Sequence, residues 1–109
     1  MPRGDVVTVA ARGGFGGKPR PAVVVQSDAF AQTASVTLCL FTSVPTEADL
    51  ARVPIEPSTR NGLRAASWVM ADKIITVPRE TIGVKIGTLT SVEIEAVETA
   101  ILLFRGLVK

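Results

Sequence analysis

The first residues of the chain that could do chemistry lie in the stretch 13–25, GGFGGKPRPAVVV. Arg20 carries a permanent charge, and its planar guanidinium can hold a phosphate through two hydrogen bonds. Glycines give a loop conformational freedom, whereas each proline restricts the residue before it. The pattern predicts a mobile flap over residues 12–19 beside one rigidly held cation. The alternative is an ordinary arginine paired with a carboxylate, either Asp28 or Asp72.

Hydroxyl groups and one aromatic ring are further candidates. Thr42 and Ser43 end the apolar run SVTLCLFTS (35–43), where a hydroxyl can meet a ligand, although local bonding to the backbone is its more ordinary role. Phe15, at the tip of the predicted flap and flanked by glycines, has no core to enter. We expect it to contact a ligand or a partner. The single tryptophan, Trp68, is expected in the core or at an interface, although it offers a stacking surface for a base.

A carboxylate at Asp72 interrupts the apolar run SWVMADKII (67–75). Burying a charge is unfavourable unless it is paired, so this residue needs a partner. The ordinary reading is a salt bridge with Lys73, Lys85 or an arginine. The functional alternative is that Asp72 orients Arg20.

The composition excludes several kinds of site. The chain has no histidine, the commonest metal ligand and general base, which excludes a zinc enzyme and a serine–histidine hydrolase. Cys39 is the only cysteine, so no intramolecular disulfide can form. Its surroundings, TLCLF, predict a buried structural thiol in a cytosolic protein.

The hydropathy and charge of the chain indicate where the protein is located and what it binds. Hydrophobic residues make up 47% of the chain and the mean hydropathy is +0.37, which is high for a small monomer and predicts a homodimer interface. No apolar run approaches the ~18 residues of a membrane helix, and residues 1–5 are no signal-peptide core, so we expect a cytoplasmic protein. The net charge is only +2, but the first 27 residues contain four cationic residues and one acidic residue. This basic N-terminal part suits a polyanion.

The hydrophobic pattern predicts one domain, 1–109, that is mainly β with a C-terminal helix. Residues 43–51 and 77–83 are predicted as turns or short helical pieces. Short strands separated by turns, with one helix at the end, indicate a small bent sheet or an SH3-like barrel. The predicted strands are 5–11, 20–26, 35–42, 52–56, 67–75 and 84–88.

The terminal helix has clear signals at both ends. Thr90 and Glu93 have the spacing of a capping box, and Gly106 suits the stop. Its apolar face comprises Val97, Ala100, Ile101 and Phe104. Because the turn AILLF is apolar nearly all round, this end packs either in the core or against a second subunit.

Several stretches occur in an order that resembles the MazF/PemK-like toxins, bacterial endoribonucleases (mRNA interferases) of type II toxin–antitoxin pairs. The resemblance covers nearly the whole chain, and its strength lies in the order and spacing of these stretches. They are RGDVVTVA, RPAVVVQSDAF, LCLFTS, NGLRAASWVMADKIITVPRETI and KIGTLTSVEIEAV.

The resemblance implies a homodimer of SH3-like barrels that cleaves single-stranded RNA at short sequence motifs. It implies no metal or cofactor, 2′,3′-cyclic phosphate and 5′-hydroxyl ends, and a cognate antitoxin. The active-site arginine falls on Arg20, the active-site threonine on Thr42, and the flap beside the RNA groove on 12–19. The RNA-binding or supporting residues are then Phe15, Gly16, Gly17, Lys18, Ser43 and Asp72.

One branch of the family fits less well. In the Kid/PemK branch the site contains an Asp, an Arg two residues before it, and a His. In this chain Asp72 matches the Asp, but Met70 occupies the position of the Arg, and the chain has no histidine. The resemblance therefore favours the Arg–Thr site of MazF. Two other functions stay open. One is a gyrase-poisoning toxin resembling CcdB, although the CcdB family has Trp-Gly-Ile at its C-terminus and this chain ends in GLVK. The other is a nucleic-acid-binding barrel without catalysis.

Overall fold

The computed structural model describes residues 1–10, 18–44 and 51–108. It confirms six strands followed by one helix. Single 3-10 turns occur at Asp28–Phe30 and Arg79–Thr81. The elements are β1 (Asp5–Val9), β2 (Arg20–Val24), β3 (Ser35–Thr42), β4 (Arg52–Ile55), β5 (Ser67–Pro78), β6 (Ile82–Thr88) and α1 (Ser91–Phe104).

Element boundaries differ from the prediction mainly at the 77–83 segment. A single helical turn is present there, but β5 runs on to Pro78 and β6 already begins at Ile82. Pro78 is tolerated because the next residue makes the bond to β3, with Arg79 N donating to Ala34 O at 3.0 Å, and β4 does not pair with this end of β5. The predicted flap lies outside the described residues except for Lys18 and Pro19, and the predicted turn at 43–51 lies mostly outside them.

All strand pairs are antiparallel, and the strand order is β4-β5-β3-β2-β1-β6. Both faces of the central strands are buried, as the apolar run of β2 predicts. Val23 and Cys39 pack on the face that α1 covers. Ala22 and Val24 pack on the opposite face, in a second core cluster. Ile82 of the edge strand β6 packs against the same cluster, because the sheet is bent over this face.

The barrel outline is not closed by strand pairing. In the described part of the chain, no ladder joins the edge strands β4 and β6. The turn before β5 instead packs onto β6, where Thr88 N donates to Arg60 O at 2.9 Å. A side chain at Gly87 would clash there, since an ideal Cβ would lie 2.4 Å from Arg60 O.

The capping box at the start of α1 is confirmed. Glu93 N donates to Thr90 Oγ1 at 3.1 Å, and Thr90 N donates to Glu93 Oε1 at 2.8 Å. At the other end Gly106 has a φ of +75°, and the amides of residues 106 and 107 bond back to Leu103 O and Leu102 O. This Schellman arrangement satisfies the last carbonyls of the helix.

The apolar face of α1 is buried only in part. Val97 and Ala100 are buried and Ile101 packs against the core, but Phe104 is 55% exposed. The helix contacts the core up to Ile101, so the next residue of this face extends past it. With 14 residues in α1, no helix of the described ranges is long and apolar enough to cross a membrane.

Candidate active site

The pairing of β2 with β3 brings Arg20 and Thr42 together. Ala22 lies opposite Leu40, and extending this register by two residues sets Arg20 opposite Thr42 at the ends of both strands. Side chains alternate along a strand, so both residues lie on the face of Ala22 and Leu40. They line one cavity of about 340 Å³. The residues of its lining are Arg20, Pro21, Phe41, Thr42, Ser43, Val44 and Ser67.

The backbone of Arg20 is held by β1. Val9 lies opposite Arg20 in the β1–β2 ladder, and Pro21 follows directly. The two carboxylates considered as partners of Arg20 bond to other groups. Asp28 Oδ1 accepts from the backbone N of Arg3 at 2.6 Å.

Asp72, the other carboxylate, is held by Arg52. Arg52 Nε donates to Asp72 Oδ1 at 2.8 Å, and its Nη2 donates to Oδ2 at 3.1 Å. The hydrogen bond from Arg52 is the main reason why the pKa of Asp72 is lowered. The ordinary salt-bridge interpretation is therefore correct, and the described lining of the cavity around Arg20 does not include Asp72.

The hydroxyl of Thr42 makes the local bond expected of a strand-end threonine. Thr42 Oγ1 accepts from the backbone N of Val44 at 3.1 Å, which turns the chain after β3. This bond uses a lone pair of Oγ1, so its proton stays available to a ligand. Ser43 is exposed at the rim of the same cavity.

The sequence did not single out Ser67, which lines the cavity from β5. Ser67 is buried, and its Oγ donates to Ala65 O at 3.0 Å. Thr42 lies opposite Trp68, so the β3–β5 ladder brings the backbone of Ser67, the neighbour of Trp68, to the end of the sheet where the cavity lies. The side chain of Ser67 shares the face of Ile55 and Val69. No local pattern around Ser67 signals this, because the pairing depends on a register shift within the ladder.

The remaining predicted residues divide into two groups. Phe15, Gly16 and Gly17 lie outside the described residues. Lys18 is exposed and lies two residues before Arg20, where β2 begins. Trp68 is half-buried, between Thr42 on β3 and Pro54 on β4.

The described residues offer no metal-binding cluster. Within the described ranges, no cluster of three or more His, Cys, Asp or Glu side chains could hold a metal ion. Cys39 is a free, buried thiol, as predicted. Burial raises its pKa to about 12, with a further contribution from the charge of Asp72.

Comparison with known proteins identifies the family. The family model described as "PemK-like, MazF-like toxin of type II toxin-antitoxin system" matches residues 2–104. The chain belongs to this family. It is also 44% identical over 107 residues to a "Probable endoribonuclease MazF" of Mycolicibacterium smegmatis, with 98% of each chain covered.

Solved structures show the same MazF fold. An endoribonuclease from a mycobacterial species, in complex with its cognate antitoxin, matches with a TM-score of 0.83 and 24% identity, over 100% of this chain and 98% of that one. The Mycobacterium tuberculosis toxin MazF-mt6 matches with a TM-score of 0.81 and 22% identity, over 96% and 99%. A MazE–MazF structure from Deinococcus radiodurans matches with a TM-score of 0.76 and 19% identity, over 97% and 96%.

Proposed function

We propose that this MazF-family protein is an endoribonuclease toxin that cleaves single-stranded RNA at a short sequence motif. The observation that carries the proposal is the shared cavity of Arg20 and Thr42, at the ends of two neighbouring strands. The cavity joins a guanidinium to two hydroxyl donors, those of Thr42 and Ser43, a combination suited to a phosphodiester. Family membership and the 44% identical relative named as an endoribonuclease supply the reaction class.

The reaction uses the 2′-hydroxyl of the substrate as the nucleophile. Its oxygen bonds to the adjacent phosphorus as the bond from phosphorus to O5′ breaks, which gives a 2′,3′-cyclic phosphate and a 5′-hydroxyl. One proton leaves the 2′-oxygen and one is delivered to O5′. Negative charge builds on the non-bridging oxygens, where Arg20 and Thr42 would donate. Fixed donors of this kind contribute about 3–4 kcal/mol each.

Asp72 is a poor candidate for the general base. Two hydrogen bonds from Arg52 favour its ionised form and lower its pKa, which makes the carboxylate a weaker proton acceptor. We assign Asp72 to supporting β5 through Arg52.

The proposal includes partners and location. We propose a cytoplasmic homodimer that a cognate antitoxin neutralises, with Phe15, Gly16, Gly17 and Lys18 as the flap over the RNA. Exposed apolar side chains around the end of α1 support a subunit interface. They are Leu102, Phe104, Leu107 and Val108, which are 39%, 55%, 66% and 43% exposed.

The test is cleavage of a long single-stranded RNA by purified protein in EDTA, with the ends mapped by primer extension. We expect cuts at a recurring short motif and a loss of about a hundredfold or more in Arg20→Ala. Arg20→Lys should recover little of this loss, because lysine cannot form the bidentate contact.

Arg60→Ala is the matched control, because it removes one exposed positive charge in the turn before β5, outside the cavity lining. It should cleave like the wild type. Wild-type activity in Arg20→Ala would refute the assignment of Arg20. Intact RNA with the wild-type protein would refute the endoribonuclease proposal, and a gel shift of that RNA would point to a binding protein.

A further inference from the structure

The cavity around Arg20 has an apolar side in addition to its polar one. Arg20, Thr42 and Ser43 supply the charge and the hydroxyls proposed for the phosphate. Among the apolar residues of the lining, Phe41 is only 2% exposed and belongs to the core. Val44 is 66% exposed. The cavity therefore has an apolar surface at Val44 that is open to a ligand.

Val44 is held next to one of the hydroxyls proposed to contact the phosphate. Thr42 Oγ1 accepts a hydrogen bond from Val44 N at 3.1 Å. A bond from a threonine hydroxyl to the amide two residues later makes the backbone turn at that point. Because the same hydroxyl anchors Val44 and can donate to a phosphate, a group that contacts Val44 must lie close to that phosphate.

The bases are the part of RNA that suits an exposed aliphatic side chain. Phosphate oxygens and ribose hydroxyls are strongly hydrated and gain nothing from contact with a valine. The faces of the bases are largely apolar, and in a single strand they are free to pack on protein side chains. Each phosphate of the chain is one sugar away from a base on either side. One of these two bases can therefore reach Val44 while the phosphate occupies the polar side of the cavity.

We propose that Val44 is a base-contacting residue, whose side chain packs against the face of one of the two bases that flank the scissile phosphate. The assignment rests on the proposed ribonuclease function. The contact transfers no proton; it holds the nucleotide while Arg20 and Thr42 contact the phosphate. Because every base has such a face, the contact adds affinity without selecting a sequence. A base stacked within a duplex has no free face, so the contact favours single-stranded RNA.

The experiment measures binding of RNA oligonucleotides that carry the motif mapped with the wild-type protein. Both nucleotides that flank the cut are 2′-deoxy in every oligonucleotide, so the nucleophile is missing and no cleavage disturbs the equilibrium. Two companion oligonucleotides carry a tetrahydrofuran abasic unit at one or the other of these positions. Fluorescence anisotropy gives the Kd of each.

Val44→Ala should weaken binding of the RNA with both bases about threefold to tenfold, because two methyl groups are lost from an apolar contact. When the contacted base is missing, the wild type and Val44→Ala should bind equally. When the other flanking base is missing, the difference between the two proteins should remain. The abasic position that removes the difference identifies the contacted base.

Two further variants keep the result interpretable. Val44→Ala retains the amide that bonds to Thr42, so we expect the turn to survive. Val44→Ile retains the apolar side chain and should depend on the contacted base as the wild type does. Val92→Ala removes the same two methyl groups from a valine that is 75% exposed in the first turn of α1, outside the cavity lining, and should bind like the wild type.

Several outcomes would overturn the proposal. One is unchanged binding of the RNA with both bases by Val44→Ala. Another is an equal loss of affinity for this RNA and for both abasic RNAs; a changed sedimentation coefficient would then place Val44 against a second protein subunit. A loss in Val44→Ile as large as in Val44→Ala would show that the contact is not apolar. A wild type that cuts no RNA would refute the proposed function itself, whereas normal cutting with any of these binding results would refute only the role of Val44.

Discussion

The turn before β5 packs so closely against β6 that one added methyl group should push the two apart. Gly62 has a φ of +71°, and an ideal Cβ there would lie 2.1 Å from Ile86 O. Real Cβ atoms keep at least 3.0 Å from such a neighbour, and the neighbour here is backbone, which cannot rotate away. Gly62→Ala should therefore force the turn away from the strand.

The cost of Gly62→Ala has two parts. The left-handed conformation costs an L-residue about 1–2 kcal/mol, and forcing an extra carbon into a packed contact costs about 1–3 kcal/mol more. Together these give about 2–5 kcal/mol, or a fall in Tm of at least about 8 °C at ~4–8 °C per kcal/mol.

Gly106→Ala is the matched control. Gly106 has a φ of +75°, but nothing lies within 4 Å of an added Cβ. It should lose only the conformational part, about 1–2 kcal/mol. Thermal unfolding followed by circular dichroism measures both variants. Equal losses of Tm would refute the close contact between the turn and β6.

Two further predictions concern charged and buried groups near β5. Because Arg52 lowers the pKa of Asp72, the pair stabilises the fold above the unfolded pKa of about 4, and this contribution is lost as the pH falls through the lower folded pKa. In urea unfolding, Asp72→Asn should cost about 1–2 kcal/mol at pH 7, because the pair is only partly buried. The free energy of unfolding should fall less between pH 5 and 3 than in the wild type. A slope equal to that of the wild type would contradict the pair. Because the pKa of Cys39 is raised to about 12 and the thiolate is the reactive form, Ellman's reagent at pH 8 should label the native protein at least about 100-fold more slowly than the protein in urea. Rapid labelling of the native protein would show that the thiol is not buried in solution.

Much of the fold could be predicted because its signals are local. Alternating and continuous apolar runs mark the strands, and the spacing of Thr90 and Glu93 marks the start of α1. The burial of Cys39 follows from its apolar neighbours. The end of β5 was predicted too early, at residue 75, because the Pro78-Arg79 pair resembles a turn while Pro78 still pairs with Ser35.

The candidate site was predictable only where it depends on regular pairing. Arg20 and Thr42 face each other because residues 22–24 of β2 and 38–40 of β3 pair without a shift. The β3–β5 ladder is different, since Cys39 lies opposite Ile74 but Phe41 lies opposite Val69. Leu40 alone therefore faces the four residues 70–73 of β5. The sequence does not reveal this shift, because Val69, Met70 and Ala71 are all apolar and buried, whichever face each one occupies.

This shift decides what β5 contributes to the site. Asp72 lies within the shifted segment, and Arg52 on β4 takes both of its oxygens. Ser67 lies beyond the shift, in the half of β5 that pairs with β4, and it reaches the cavity. The ordinary interpretation of Asp72, a salt bridge, therefore holds over the alternative in which it orients Arg20, and Ser67, which the sequence did not reveal, contributes to the cavity lining. With Asp72 committed to Arg52, a site of the Kid type lacks its acid in addition to its arginine and histidine. The geometry instead supports a site of donors on β2 and β3.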